Sequence, residues 1–342
     1  HNQMENLKKQ QNEFKIITEN MAEGLIIIDK DMDILTYNSS AIRMLEADAA
    51  AKSETVLRLN RSEAFRKAVT EALNGKHCRT ALNLKESICE IIANPVYDNG
   101  KITGAILIIL DVTEKEKGEA LRREFTSNVS HELKTPLTSI YGVSDMLSSG
   151  LVKPEDVKNF AKTIKEESSR LISLIEDIIK LSQLDEETVP DEKEEIDVLA
   201  AAEEVARRLK TKADEEQVTI SVSGSSVCIM GVGYILDEII YNLCDNAIKY
   251  NKKGGTVEVS VNQQGEDCLL SVKDTGIGIP KSDLKRVFER FYRVDKSHSK
   301  ATGGTGLGLS IVKHAVSYLD GELEIDSIEN EGTEINIRFK AV

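Results

Sequence analysis

The chain has 342 residues, of which 40% are hydrophobic and 30% charged, a composition that fits a folded protein of two or three domains. Its formal net charge of −14 argues against a nucleic-acid-binding surface, because binding to phosphates requires clustered lysine and arginine. The five cysteines are odd in number and form no C-x-x-C pair, which argues against a disulfide framework or a zinc knuckle.

The first part of the chain predicts a mixed α/β domain. Residues 1–13 are polar, and we interpret them as the end of a helix or a linker. In residues 14–113, short apolar runs alternate with turn signals, and the composition of Ser62–Leu73 favours a helix. The predicted strands are Leu25–Ile28, Ile34–Tyr37, Ile88–Ala93 and Ala105–Leu110.

Residues 114–188 predict an antiparallel hairpin of two amphipathic helices. The helices separate near Gly150–Pro154, and Pro154 with the two acids after it is typical of a helix start. Each helix carries one apolar stripe at ~100° per residue. A hairpin buries two such stripes only partly, so we expect a homodimer that forms a four-helix bundle. The stripes consist of Phe125, Val129, Leu133, Leu137, Ile140, Val143 and Leu147, and of Phe160, Ile164, Leu171, Ile175, Ile178 and Leu181.

His131 lies nearly opposite the apolar stripe of the first helix. Glu132 follows it directly and could orient or deprotonate the imidazole, and Thr135 lies one turn later on the same exposed face. Pro136 falls within the helix, where a proline costs on the order of 3 kcal/mol and bends the helix. The simpler alternative is a solvated surface histidine beside a kink.

After an acidic linker at Asp185–Glu195, the last region alternates helices and strands and carries four polar motifs. In the first, Asn242, Asn246 and Lys249 share one helix face, where amide oxygens could hold Mg²⁺ and the lysine could meet phosphate. In the second, Asp274–Gly278, a carboxylate at a strand end could accept a hydrogen bond from an adenine amino group, and the glycines allow close approach.

The third motif, Phe288–Val294, opens a segment that ends near Thr302, and we interpret it as a mobile lid from which Arg293 reaches a terminal phosphate. The fourth, Gly303–Leu309, precedes a predicted helix at Ser310–Tyr318, where backbone amides could cradle phosphates. Taken singly, these motifs have plainer explanations: a polar helix face, a turn, a packed helix and a glycine-rich loop.

Two groups of residues resemble sensor histidine kinases. Phe125–Thr138, FTSNVSHELKTPLT, is similar to the phosphoacceptor box of the phosphate-sensing and cell-wall-sensing (PhoR/WalK-like) type. The four later motifs resemble the N, G1, F and G2 boxes of the ATP domain, an α/β sandwich shared with gyrase, the Hsp90 chaperone and MutL. The resemblance implies that His131 is phosphorylated, that Glu132 is the base, and that Thr135 serves dephosphorylation of the partner.

The resemblance also implies that ATP and Mg²⁺ are the cofactors. Asn242 would be the Mg²⁺ ligand, and Asp274 would read adenine. The other residues assigned to the nucleotide are Asn246, Lys249, Tyr250, Gly276, Gly278, Tyr292, Arg293, Gly304, Gly306, Leu307 and Gly308.

The first hundred residues resemble a PAS domain, through the opening ITENMAEGLIIIDKDMDILTYN and the exit GKITGAILIILDVTE. We expect a structural or dimerising module without a bound ligand. His77, Cys78 and Cys89 do not have the spacing of a zinc site, and an isolated histidine is poor support for haem. A change in this domain could pass to His131 along one continuous helix.

The sequence therefore predicts a multidomain α+β protein: an ATP-dependent histidine kinase that phosphorylates His131, passes the phosphoryl group to an aspartate of a response regulator receiver domain, and also dephosphorylates that regulator. The predicted domains are a linker at 1–13, a PAS domain at 14–113, a phosphotransfer hairpin at 114–188 and an ATP-binding domain at 189–342.

The sequence also bears on the cellular location of the protein and on two alternative functions. The longest apolar run falls short of the ~18 residues that span a membrane, and the chain starts at His1. We therefore expect the cytoplasmic portion of a sensor that is anchored in the membrane by a preceding segment. An ATPase of the gyrase and Hsp90 kind would not need His131. A PAS-based scaffold with an inert kinase half would not autophosphorylate.

Overall fold

A computed structural model describes residues 2–47, 55–185, 192–294 and 304–342. The chain divides into two compact units, residues 1–124 and residues 125–342. Among the described residues, no helix has both the length and the apolar character needed to cross a membrane.

The first unit contains a five-stranded antiparallel sheet in the order β2-β1-β5-β4-β3. Its strands are β1 (Gly24–Asp29), β2 (Ile34–Tyr37), β3 (Cys78–Asn83), β4 (Ile88–Asp98) and β5 (Lys101–Asp111). Its helices are α1 (Asn2–Glu19), α2 (Ser39–Met44) and α3 (Glu63–Leu73), with a 3₁₀ turn at Val56–Arg58. The four predicted strands and the predicted helix are confirmed, while β3 and α2 were not predicted and α1 runs past residue 13.

The core of the first unit lies on one face of this sheet. Along β1 and β5 alternate side chains are buried, as expected for a sheet covered on one side. From α3, Phe65 and Val69 pack against these strands and are fully buried. Ser62 caps α3 by accepting a hydrogen bond from the Phe65 amide at 3.2 Å.

Asn38 ties together three segments of the first unit. It is fully buried. Its side-chain nitrogen donates to the carbonyls of Thr18 and Glu23, each at 2.8 Å. Its oxygen accepts from the amides of Leu25 at 2.9 Å and Ala41 at 3.0 Å. Every hydrogen-bonding position of the amide group is therefore used.

The helical hairpin belongs mostly to the second unit, although its first helix begins before residue 125. Helix α4 (Thr113–Ser148) starts directly after β5 and continues as one helix through Pro136. Helix α5 spans Val157–Asp185. The predicted start of this helix at Pro154 is wrong, because residues 154–156 form a turn in which the Asp156 amide donates to the Lys153 carbonyl at 2.9 Å.

The apolar stripes of the hairpin are only partly covered. Within the stripes, Leu181 is buried, whereas Leu137 is 57% exposed and Ile175 43%. Among the other apolar side chains of the hairpin, Leu174 is buried, whereas Tyr141 is 74% exposed and Ile172 57%. Apolar side chains of this size are normally covered when they are grouped on one face.

The rest of the second unit is an α/β sandwich, as predicted. A sheet in the order β11-β12-β10-β9-β7 is antiparallel except for the parallel pair of β7 and β9. Its strands are β7 (Thr219–Gly224), β9 (Thr256–Gln264), β10 (Asp267–Asp274), β11 (Glu322–Ile328) and β12 (Gly332–Lys340). A separate ribbon pairs β6 (Glu194–Asp197) with β8 (Cys228–Gly231).

Three helices cover this sheet: α6 (Val198–Glu215), α7 (Gly233–Lys249) and α8 (Gly308–Tyr318). The predicted helix at Ser310 is confirmed but starts two residues earlier, at Gly308. The apolar face of α7 is buried against the sheet and its neighbours, and this turns the polar face of α7 towards the glycine-rich segment before α8.

We predict that Asn38→Ala destabilises the first unit by about 2–4 kcal/mol, because four backbone groups lose a partner, two of them in buried bonds and two in part-buried ones. Hydrogen exchange on the full chain should show faster exchange in β1 and at the start of α2. The exposed Asn83→Ala serves as the control. Unchanged exchange in the Asn38 variant would mean that these bonds contribute nothing net.

Candidate functional site

The polar face of α7 provides the first part of the candidate site. The Asn242 side-chain nitrogen donates to the Glu238 backbone carbonyl at 2.9 Å and to the Glu238 carboxylate at 2.8 Å. Asn246 and Lys249 follow on the same face, and all three side chains are half-buried. The predicted common face is therefore confirmed.

The glycine-rich segment lies directly against this face. A Cβ atom added to Gly308 would lie 2.9 Å from Asn242 Oδ1 and 3.7 Å from Asn246 Nδ2, and one added to Gly304 would lie 2.5 Å from Lys249 Nζ. A side chain at Gly304 or Gly308 would therefore displace the Lys249 ammonium or the Asn242 amide from its present position. At Gly306 the φ angle is 74°, a left-handed conformation that favours glycine. The first and fourth motifs thus form one surface.

Asp274 lies near the C-terminal end of α7, beside Tyr250. The Asp274 carboxylate accepts hydrogen bonds from the amides of Gly276 at 2.7 Å and Thr333 at 3.3 Å. Burial raises the pKa of Asp274, and the two amide bonds partly offset that rise. Gly276 packs against the Tyr250 carbonyl, which accepts the Ile277 amide at 3.1 Å. Gly278 instead approaches the Ile328 carbonyl, so its contact is with the end of β11.

Lys249 carries the strongest electrostatic perturbation of the site. Burial, followed by the nearby charge of Arg293, lowers the pKa of Lys249 from 10.5 to about 8. Its ammonium nitrogen lies 5.2 Å from the centre of the Tyr250 ring. Burial removes water from the Lys249 ammonium, which is unfavourable for its charge. An anionic ligand bound beside it would compensate for the lost hydration.

Two of the predicted nucleotide residues point elsewhere. The Tyr292 hydroxyl donates to Asp283, and its ring lies 4.2 Å from the Arg286 guanidinium. Leu307 is fully buried and packs with Leu174 and Leu181 of α5. The lid residues Ser297–Ala301 and Gly303 lie outside the described residues.

The predicted acceptor region lies on α4. His131 is exposed, and its backbone carbonyl accepts a hydrogen bond from the Thr135 hydroxyl at 3.2 Å. Glu132 lies 3.9 Å from the Arg170 guanidinium across the hairpin. Thr135 therefore has the backbone contact that a purely structural role would give it.

Sequence reasoning did not predict the contacts that α5 makes with the α/β sandwich and the segment before α8. The Asp177 carboxylate accepts a hydrogen bond from the Thr305 hydroxyl at 2.7 Å, and burial raises the pKa of Asp177. Asp185 pairs with Arg290 at 2.7 Å. One signal was available, because Asp177 is an acid one turn from Leu174 and Leu181 on the apolar face of α5.

Three family models match the chain in order. Residues 12–112 match the PAS fold, residues 121–187 the His Kinase A (phospho-acceptor) domain, and residues 231–342 the histidine kinase-, DNA gyrase B-, and HSP90-like ATPase. The predicted order of PAS, phosphoacceptor and ATP-binding regions is confirmed, while the domain boundaries remain predictions.

Two relatives cover most of the chain. It is 33% identical over 329 residues to the sensor histidine kinase WalK of Bacillus subtilis, covering 92% of this chain and 53% of the relative. It is 31% identical over 342 residues to the sensor protein kinase WalK of Staphylococcus aureus, covering 97% and 81%.

A solved structure, that of the histidine kinase ThkA in complex with the response regulator protein TrrA, shares the fold. The TM-score is 0.53 at 20% identity, and the match covers 93% of this chain and 96% of that one. The identity with the two WalK relatives, 33% and 31% over nearly the whole chain, shows that the chain belongs to the sensor histidine kinase family. It spans only about half of the Bacillus subtilis relative, at 53%.

We predict that Lys249→Met stabilises the second unit by about 1 kcal/mol at pH 7, a value reduced because partial exposure screens the penalty. The folded-state pKa of about 8 lies below the ordinary 10.5, so the cost of the buried charge is fully present below pH 8 and is lost as the pH rises towards 10.5. Denaturant unfolding at pH 7 and pH 10 measures this difference.

The exposed Lys252→Met is the matched control and should change stability little at either pH. A Lys249→Met variant that is less stable than the parent at pH 7, or equally stabilised at both pH values, would contradict the assigned cost of burial.

Proposed function

We propose that this chain is an ATP-dependent protein histidine kinase that phosphorylates its own His131 and passes the phosphoryl group to an aspartate of a response regulator receiver domain. The observation that carries the proposal is the single surface formed by Asn242, Lys249 and the glycine-rich segment, within the same unit as the exposed His131. The names of the two WalK relatives, and the response regulator that accompanies ThkA in its solved structure, support it.

The ATP site follows from the charges and the glycines. We infer that Asp274 accepts a hydrogen bond from the adenine amino group, and that Lys249 and Arg293 meet the phosphates. Gly304, Gly306 and Gly308 leave backbone amides accessible, and the start of α8 adds the positive end of a helix dipole. Asn246 and Tyr250 border the same surface, and Gly276 allows close approach beside Asp274.

The residues also fit a magnesium ion held mainly by the nucleotide. Among the described residues, no group of three or more His, Cys, Asp or Glu side chains could form a metal cage. Mg²⁺ prefers oxygen ligands and is often held by one or two protein groups together with substrate phosphates. We infer that Asn242 Oδ1 is this protein ligand. When bound, the ion would neutralise part of the phosphate charge.

The reaction at His131 is an in-line displacement. A neutral imidazole nitrogen attacks the γ-phosphorus, the bond from that phosphorus to the bridging oxygen breaks, and ADP leaves. Glu132 is the proposed base that accepts or orients the imidazole proton, and Arg170 across the hairpin would hold its carboxylate. The N–P bond is labile, which suits transfer onward to a carboxylate.

We further propose that the kinase is a homodimer. The exposed Leu137, Tyr141 and Ile172 lie on the hairpin, and a second copy would complete a four-helix bundle over them. The PAS unit would be a structural or dimerising module without ligand. The chain would be the cytoplasmic part of a membrane-anchored sensor, in line with its partial coverage of the Bacillus subtilis relative.

We predict that His131→Gln abolishes incorporation of phosphate from γ-labelled ATP while ATP affinity stays within about twofold, because the variant removes only the nucleophile. Thr135→Ala is the matched control on the same face. It should keep the label within a few-fold but strongly slow the loss of phosphate from the regulator, since we propose that its hydroxyl positions the attacking water.

Acid-stable label in the His131→Gln variant would identify a different acceptor and contradict the proposal. If Thr135→Ala lowers both activities together with the melting temperature, its bond to the His131 carbonyl is structural and the role in dephosphorylation is wrong. If the protein hydrolyses ATP but incorporates no labelled phosphate, the ATPase hypothesis would be favoured instead.

A further inference from the structure

Glu238 lies one helical turn before Asn242 on α7 and belongs to none of the four nucleotide motifs. Its side chain is 20% exposed and contacts both Asn242 on its own helix and Lys180 of α5. One carboxylate oxygen, Oε1, accepts a hydrogen bond from Asn242 at 2.8 Å. The other, Oε2, accepts one from Lys180 of α5 at 2.8 Å.

These contacts fix which way the Asn242 amide faces. The two groups beside its nitrogen are the Glu238 carbonyl and the Glu238 carboxylate, which can only accept hydrogen bonds. Turning the amide over would place its oxygen against two other oxygens and lose both bonds. The oxygen of Asn242 is therefore held on the opposite side, where it faces Gly308 at the start of α8.

Lys180 holds Glu238 in place from the hairpin. Its ammonium takes the carboxylate oxygen that Asn242 does not use, so the carboxylate has a partner at each oxygen. One turn earlier on α5, Asp177 binds Thr305 of the glycine-rich segment at 2.7 Å. Helix α5 thus contacts both Glu238, behind Asn242, and the segment that lies in front of it.

We propose that Glu238 is a positioning residue, which orients Asn242 so that its side-chain oxygen is presented to magnesium-bound nucleotide. This inference rests on the proposed role of Asn242 as the Mg²⁺ ligand. Glu238 acts through Asn242 and is not itself a ligand, because both of its carboxylate oxygens are engaged by other side chains. Partners of this kind tune metal affinity without touching the metal.

The test is calorimetric titration of the full chain with ATP, at graded Mg²⁺ concentrations and in EDTA. Glu238→Met keeps the side-chain length and removes the acceptor. We expect it to raise the Mg²⁺ concentration needed for half-maximal binding by about tenfold or more, with ATP affinity in EDTA unchanged. Glu238→Gln keeps one acceptor oxygen and should stay within about threefold of the parent.

Asp237→Asn is the matched control, because the neighbouring acid pairs with Arg208 at 2.6 Å and does not contact Asn242. It should leave the Mg²⁺ dependence unchanged. A combined Glu238→Met and Asn242→Ala variant should be no worse than Asn242→Ala alone, since Glu238 acts only through Asn242.

Two results would overturn the positioning role. One is a Glu238→Met variant whose ATP binding depends on Mg²⁺ as in the parent, while Asn242→Ala abolishes that dependence. In that case Asn242 would still be the Mg²⁺ ligand, but Glu238 would not position it. The other is an equal loss of affinity in EDTA and in Mg²⁺, which would show a general structural effect. If Asn242→Ala itself keeps the parent's Mg²⁺ dependence, the ligand assignment in the proposed function fails, and the inference fails with it.

Discussion

The arrangement of the candidate site depends on the burial of Leu307 between α5 and α8. Leu307 is fully buried and packs with Leu174, Leu181 and Ile311. Burying such a side chain contributes about 1.5–3 kcal/mol. Its neighbours in the chain, Gly306 and Gly308, have no side chains to bury, so Leu307 is the residue that anchors this segment in the core. The bond from Thr305 to Asp177 adds a directional contact beside it.

A second constraint is electrostatic. The chain has a net charge of −14, yet the pKa of the half-buried Lys249 is lowered by burial and by the charges of Arg293, Lys212 and Arg170, an effect that the carboxylate of Asp245 only partly offsets. Positive charge is therefore concentrated at one place on an acidic protein, where it can attract and hold a polyphosphate. Arg170 also lies 3.9 Å from Glu132, so one guanidinium interacts with the carboxylate next to His131 as well as with Lys249.

The sequence was most informative where the pattern is local. Strands such as Leu25–Ile28 and the shared face of Asn242, Asn246 and Lys249 follow from periodicity, and the structure confirms them. Strand β3 gave no such signal, because Cys78–Asn83 contains Ala and Asn, which are depleted in strands, and Thr80 is its one β-branched residue.

Contacts between distant segments could not be predicted from the sequence, because local patterns do not show which segments pack together. The bond of Thr305 to Asp177, for example, joins residues 128 positions apart. Leu307 was assigned to the nucleotide by its place in a glycine-rich motif, whereas its side chain packs against α5. A motif shows that a segment has a role, but the direction of each side chain is decided by packing.

The most direct test of the account is to locate the phosphate chemically. The full chain would be incubated with γ-labelled ATP and Mg²⁺, digested under basic conditions, and its labelled peptide sequenced by mass spectrometry. We predict one labelled peptide that contains His131, with label that is lost in acid and kept in base. Acid-stable label on a serine or threonine, or release of ADP without any protein-bound phosphate, would contradict it.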